Sequence, residues 1–101
     1  MNESLTGKQR RYLRGLGHHL SAVVHIGHEG VSEALVKQAI VQLEAHELIK
    51  VKVGETAPEG RHDAATALAE KTSAHLAQVL GRTFLLYRRR KEKPAITLPL
   101  P

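Results

Sequence analysis

Gly27 and Gly30 bracket His28 and Glu29 where an apolar run ends and a capped helical pattern begins. Glycine permits positive φ and lets a foreign backbone approach with no Cβ in the way. A helix starting just beyond would aim its unpaired N–H groups and positive dipole end at whatever sits above the loop. A phosphate group suits that place, and Gly-x-x-Gly loops clamp nucleic-acid backbones in this manner. The same residues also read as a plain strand-to-helix connector, because so short a motif recurs by chance. The other groups suited to phosphate are cations, in two clusters. Lys8, Arg10, Arg11 and Arg14 share one amphipathic stretch with no acidic neighbour, and Arg88, Arg89, Arg90 and Lys91 run together near the other end. Lys50 and Lys52 are weaker candidates, since they alternate with apolar residues and would also serve to keep a sheet face soluble.

Charge follows the same division. Residues 1–28, 29–70 and 71–101 carry net charges of +3, −4 and +6, for a total of +5 and a pI near 9.9. Basic ends flank an acidic middle, so binding is expected where the two ends meet in space, beside the glycine loop. Aromatics amount to two tyrosines and one phenylalanine, too few to stack many bases. Recognition should therefore depend on phosphate and shape.

Other chemistries lack their parts. With no cysteine there is no disulfide, thiolate zinc site or thiol nucleophile. His25-x-x-His28 offers two ligands without a third or fourth. His46-Glu47 begins like a zincin helix, but Lys50 stands where the second histidine belongs. Ser32 and Ser73 have no nucleophile-elbow context, and Gly27–Gly30 lacks the Lys-Ser/Thr ending of a P-loop. No enzyme, metal or cofactor is expected. No apolar run nears the roughly 20 residues of a membrane span, and the start Met1-Asn2-Glu3-Ser4 has no signal-peptide pattern. We expect a cytoplasmic protein with no membrane or small-molecule partner.

The elements that would position these groups can be read in order. Leu5 to Gly17 predicts a helix capped by Thr6, with Tyr12, Leu13 and Leu16 as its apolar stripe and Gly15 and Gly17 ending it. Ala22 to Ile26 predicts a buried strand. Ser32 to His46 predicts a helix capped by Ser32, burying Leu35, Val36, Ala39, Ile40 and Leu43. Leu48 to Val53 alternates as a second strand, parallel to the first through the intervening helix. A third helix starts near Pro58 or Arg61 and presents Ala64, Ala65, Leu68 and Ala69. Leu76 to Leu80 and Thr83 to Arg88 make a hairpin around Gly81-Arg82. The order is α-β-α-β-α-β-β, a single small α/β domain with a mixed four-stranded sheet over residues 1–94. A proline-containing tail, 95–101, follows, in which Ile96 and Leu98 are suited to pack as an edge segment. The second and third helices are expected on one sheet face; the first has no assigned place.

Five segments carry a resemblance: Leu5-Thr6-Gly7-Lys8-Gln9; Leu13-Arg14-Gly15-Leu16-Gly17-His18; Val23 through Gly30; His46-Glu47-Leu48-Ile49-Lys50-Val51-Lys52; and Gly81 through Arg88. In this order they resemble the CRM domain family, the YhbY-like RNA-binding proteins of bacteria and their plant organellar relatives. The resemblance implies a fold similar to the C-terminal domain of translation initiation factor three. It also implies RNA contact through Gly27–Gly30, and association of a monomer with ribosomal RNA in large-subunit precursors. His28 and Glu29 depart from the lysine or small polar residue common in that loop. Glu29 repels phosphate unless it points away, and His28 would make the contact pH-dependent. The alternatives are a DNA-binding module or a protein-interaction domain with a basic surface.

Overall fold

The structure, a computed structural model, describes residues 4–101; residues 1–3, with the Glu3 counted in the amino-terminal charge, lie outside the described residues. Its elements are α1 (Gly7–Gly17), β1 (Ala22–Ile26), α2 (Glu33–His46), β2 (Leu48–Val53), α3 (Arg61–Thr72), β3 (His75–Leu80) and β4 (Thr83–Tyr87), in the expected order. Thr6 and Gln9 close a capping box at the head of α1, each side chain accepting the other's backbone N–H at 3.1 Å. Ser32 Oγ accepts the Leu35 N–H at 3.2 Å and starts α2. α3 begins at Arg61 with Gly60 as its N-cap, so Pro58 remains in the connection.

The strands lie in the order β1-β2-β4-β3. β1 and β2 are parallel, whereas β4 runs antiparallel to both β2 and β3. This pairing decides what lies at each end of the sheet. At one end Ile26 faces Val53, the Gly54 N–H donates to Ile26 O at 2.8 Å, and the Val53 N–H donates to Arg82 O at 2.7 Å. The β1–α2 loop, the β2–α3 loop and the Gly81–Arg82 turn gather there. At the other end Leu48 faces Tyr87 and Tyr87 faces His75. The last turn of α2 and the chain leaving β4 gather there.

Two apolar layers enclose the sheet. Val24, Ile26, Ile49, Val51, Val53, Phe84 and Leu86 meet α2 and α3 on one face, through Leu35, Ala39 and Leu43 and through Ala64, Ala65 and Leu68. The small side chains of α3 let it lie close to the strands. The opposite layer joins Leu48, Ala77, Leu85 and Tyr87 to Leu5 and Leu13, with Ile96 and Leu98 packed against it. This places α1, which periodicity left unassigned, and it lays residues 96–98 beside α1. Of the expected α1 stripe only Leu13 is buried, while Tyr12 and Leu16 are 42% and 39% exposed. The helix ends at Gly17 as expected, with His18 as its C-cap. A Cβ on Gly17 would stand 2.5 Å from Leu85 Cδ1, so this glycine is needed for α1 to approach the sheet.

One carboxylate holds the carboxyl-terminal segment in place. The Glu47 N–H donates to Leu43 O at 2.8 Å and stops α2, at φ 64° and ψ −44°. That positive φ disfavours any side chain, at a cost of about 1–3 kcal/mol. The side chain is fully buried and accepts the N–H groups of Arg90 at 2.8 Å, Ala95 at 2.7 Å and Ile96 at 2.9 Å. Burial pushes its pKa up, but the three backbone N–H groups and the Arg90 cation outweigh burial and hold it below the ordinary carboxylate value. A depressed carboxylate pKa stabilises the fold above the unfolded-state pKa, and that contribution is lost as pH falls through the folded-state value. Glu47→Gln would turn an amide NH2 toward N–H donors. Urea unfolding should show it about 2 kcal/mol less stable near neutral pH. The deficit should narrow in acid below the ordinary carboxylate range; equal stability at neutral pH would contradict this role.

Candidate nucleic-acid interface

The cations of α1 face outward because Leu13 and Gly17 face inward. At about 100° per residue, Lys8 and Arg11 turn away from the sheet, and Arg10 and Arg14, four apart, share the flank toward β3. Burial lowers the His75 pKa, and the nearby Arg10 charge lowers it further, which sets Arg10 beside the start of β3. All four cations are exposed. Among the described residues the one ion pair joins Lys37 to Glu33 at 3.9 Å, so the α1 cations have no carboxylate partner.

The second cluster is partly engaged. The Arg90 guanidinium donates to Ala45 O at 3.1 Å and Lys93 O at 2.9 Å, with a longer contact of 3.4 Å to Glu44 O. It thus caps the carbonyl end of α2, where the helix dipole favours a cation. Arg89 and Lys91 are exposed, and Arg88 is half-buried. The chain beyond returns to α1, where Gln9 Nε2 donates to Pro99 O at 3.1 Å.

Arg10 lies near His75 and Arg89 near Tyr87, and those two rings stack. One cation of each cluster thus comes to this end of the sheet, away from the glycine loop, whereas Arg88, Arg90 and Lys91 line a groove against Leu43, Glu44 and Ser73 at the ends of α2 and α3. The loop follows the end of β1 that faces Val53, whereas residues 88–91 leave β4 at the end facing Leu48. A strand of this length, about 17 Å, separates them. The expectation of a single corner fails because β4 is antiparallel to β2, which sends its carboxyl end away from the loop.

The loop itself is a tight turn in which the Gly30 N–H donates to Gly27 O at 2.9 Å. Gly30 has φ +67°, and a Cβ there would collide with the Glu59 carboxylate. Glu59 Oε2 accepts the Val31 N–H at 3.2 Å, and its Oε1 is buried with no hydrogen-bond partner. A carboxylate thus already sits against the approach to α2 where a phosphate was expected. Gly27 differs: its φ is not positive, and a Cβ there would meet nothing within 4 Å. The fold demands glycine at 30 but leaves position 27 open to solvent. His28 and Glu29 are both exposed.

Lys50 and Lys52 gain importance from the position of α1. They share a sheet face with Leu48, which lies in the α1 layer. That helix packs on β2, β3 and β4, leaving Val23 and His25 of β1 exposed on the same face. Lys52 pairs with His25, next but one to Gly27. A cationic surface thus extends from α1 across Lys50 and Lys52 toward the open glycine. Alternation in β2 put both lysines on one face; the missing signal was which face α1 covers. Among the described residues no group of three or more His, Asp or Glu could hold a metal ion, and no helix is long and apolar enough to cross a membrane.

Residues 5–88 match the CRS1/YhbY (CRM) domain. The chain is 43% identical over 95 residues to the Bacillus subtilis protein named "Probable RNA-binding protein YqeI", covering 94% of this chain and 99% of the relative. It is 38% identical over 96 residues to a Haemophilus influenzae protein named "RNA-binding protein", covering 95% and 96%. The solution structure of Staphylococcus aureus SAV1595 superposes with a TM-score of 0.81 at 42% identity, covering 94% of this chain and 99% of that one.

The two loop glycines should behave differently. Gly30→Ala, forced to positive φ against Glu59, should lose about 1–2 kcal/mol, whereas Gly27→Ala should unfold thermally like the parent. Equal losses would show that both positions serve the fold.

Proposed function

This chain belongs to the CRS1/YhbY (CRM) domain family, and we propose that it is a non-catalytic RNA-binding protein that lays an RNA backbone along the α1 side of its sheet. The observation that carries this reading is the α1 surface, where Lys8, Arg10, Arg11 and Arg14 stand exposed with no carboxylate partner among the described residues. Lys50 and Lys52 continue that surface, and Gly27 offers backbone without a side chain at its far end. Arg89, near Tyr87 of the α1-side layer, would extend it at the near end, with Arg88 and Lys91 contributing from the groove beside the ends of α2 and α3, where Arg90 is anchored. His28, Glu29 and Gly30 complete the loop that would meet the strand; the Glu59 carboxylate beside Gly30 limits how much phosphate the loop itself can take.

Relatives named for RNA binding support RNA as the partner. The finer reading, drawn from the family resemblance, is a cytoplasmic monomer acting on ribosomal RNA in large-subunit precursors.

With about five phosphates of single-stranded RNA neutralised, log K should fall against log salt with a slope of about −3 to −4. Removing two phosphate contacts in Arg11→Ala/Arg14→Ala should flatten that slope by about 1.4, measured by fluorescence anisotropy. Gly27→Asp should weaken binding while leaving the melting temperature unchanged. Equal affinity for a matched DNA oligomer would refute RNA as the preferred polymer, and a slope near zero would refute the phosphate reading.

A further inference from the structure

The α1 side of the sheet also carries an apolar cleft that the phosphate contacts leave unused. Leu16, Leu20, Val23, Leu48, Ile96 and Lys50 line a space of about 400 Å³ between α1, the edge strand β1 and the carboxyl-terminal segment. Sites for small molecules span roughly 300–1,000 Å³, so this one holds a group of nucleoside size and is short for a helix. Leu16, Leu20 and Val23 are 39%, 37% and 37% exposed, an apolar cluster at a surface where isolated residues are the rule.

Two features choose the occupant. None of the residues lining the cleft is acidic, Lys50 stands within it, and Lys8, one turn before Tyr12, follows the same side of α1 beyond Leu16. An anionic strand is therefore attracted to this cleft. The second feature is Tyr12. Of the tyrosines and the phenylalanine, Phe84 and Tyr87 are buried and Tyr12 is exposed, at 42%. It stands one helical turn before Leu16, and residues four apart share a helix face. A planar π surface beside an apolar cleft and a cationic rim suits a nucleobase, because base–aromatic stacking contributes about 1–3 kcal/mol and tolerates any base.

We propose that this cleft receives one unstacked nucleobase of the RNA, with Tyr12 stacking on it and Lys50 on the adjoining phosphate. The proposal rests on the RNA-binding reading and adds a base contact to it. Tyr12 is exposed, so its substitutions leave the core intact, which circular dichroism can verify. The probes are a single-stranded RNA decamer, an abasic ribose-phosphate decamer, adenosine 5′-monophosphate and ribose 5-phosphate. The base-containing decamer should bind Tyr12→Leu about tenfold more weakly than the parent protein and Tyr12→Phe equally well, while the abasic decamer should not distinguish the three. In methyl NMR spectra, Leu16, Leu20, Val23 and Ile96 should shift with adenosine 5′-monophosphate and not with ribose 5-phosphate. RNA binding that is equal for both decamers and indifferent to Tyr12→Leu would overturn the base site and leave the RNA reading standing. Absence of binding to either decamer would overturn both. Shifts of the same methyls with protein concentration alone, together with a doubled mass, would give the cleft to a second copy and overturn the proposal.

Discussion

The buried carboxylate of Glu47 is the constraint from which the arrangement of this domain follows. It stands between α2 and β2, in a backbone conformation that glycine would adopt more easily, and it accepts three N–H groups from residues 90–96. A side chain at a strained position implies a need for that side chain. Those bonds turn the chain leaving β4 back across the sheet end, so that Ile96 and Leu98 reach the layer containing Leu13 and Leu48. Without that turn, α1 would lose one wall of its packing, and the cleft beside Leu16 would lose Ile96. The same turn brings the Arg90 guanidinium onto the carbonyl end of α2. A run that looks uniformly basic in sequence thus divides into an anchor, Arg90, and its exposed neighbours Arg89 and Lys91.

The sheet order converts this scaffold into a surface with direction. Cations from α1 and from the segment after β4 occupy one end, Lys50 and Lys52 lead across the uncovered half of the sheet, and the Gly27 turn closes the other end. At the loop end two carboxylates stand close by, Glu29 in the turn itself and Glu59 bonded to Val31. An anionic strand therefore meets attraction from α1 onward and an electrostatic stop near the loop. This graded field gives orientation to a contact that rests mainly on phosphates.

Much of the fold is legible in the residues alone. Strict alternation in Leu48–Val53, the capped apolar pattern after Ser32 and the glycine of the Gly81–Arg82 turn each predict the element observed. The same reading could not place α1, because an amphipathic helix at the chain start has no crossover to constrain its face. Glu47 escaped notice for a related reason. In sequence it is half of a failed zinc motif, and its role arises from partners more than forty residues away. Segment charge cannot locate the interface without topology. Both ends are basic, but the antiparallel direction of β4 carries residues 88–91 to the far end of the sheet from the glycines. There Arg89 and Arg10 approach the His75–Tyr87 pair, and Arg88 and Lys91 turn to the α2 and α3 ends. Gly30 and Gly27 look alike in sequence, and only Glu59, twenty-eight residues beyond Val31, separates the glycine that the turn requires from the one left open.

The central claim is that one sheet face, the one bearing α1, receives the RNA. Photo-crosslinking of bound single-stranded RNA, with the attached residues identified by mass spectrometry, tests it most directly. The account predicts adducts on α1, on Lys50 and Lys52, and near Gly27. Adducts concentrated on the outer surfaces of α2 and α3, at Lys37 and Lys71, would contradict it.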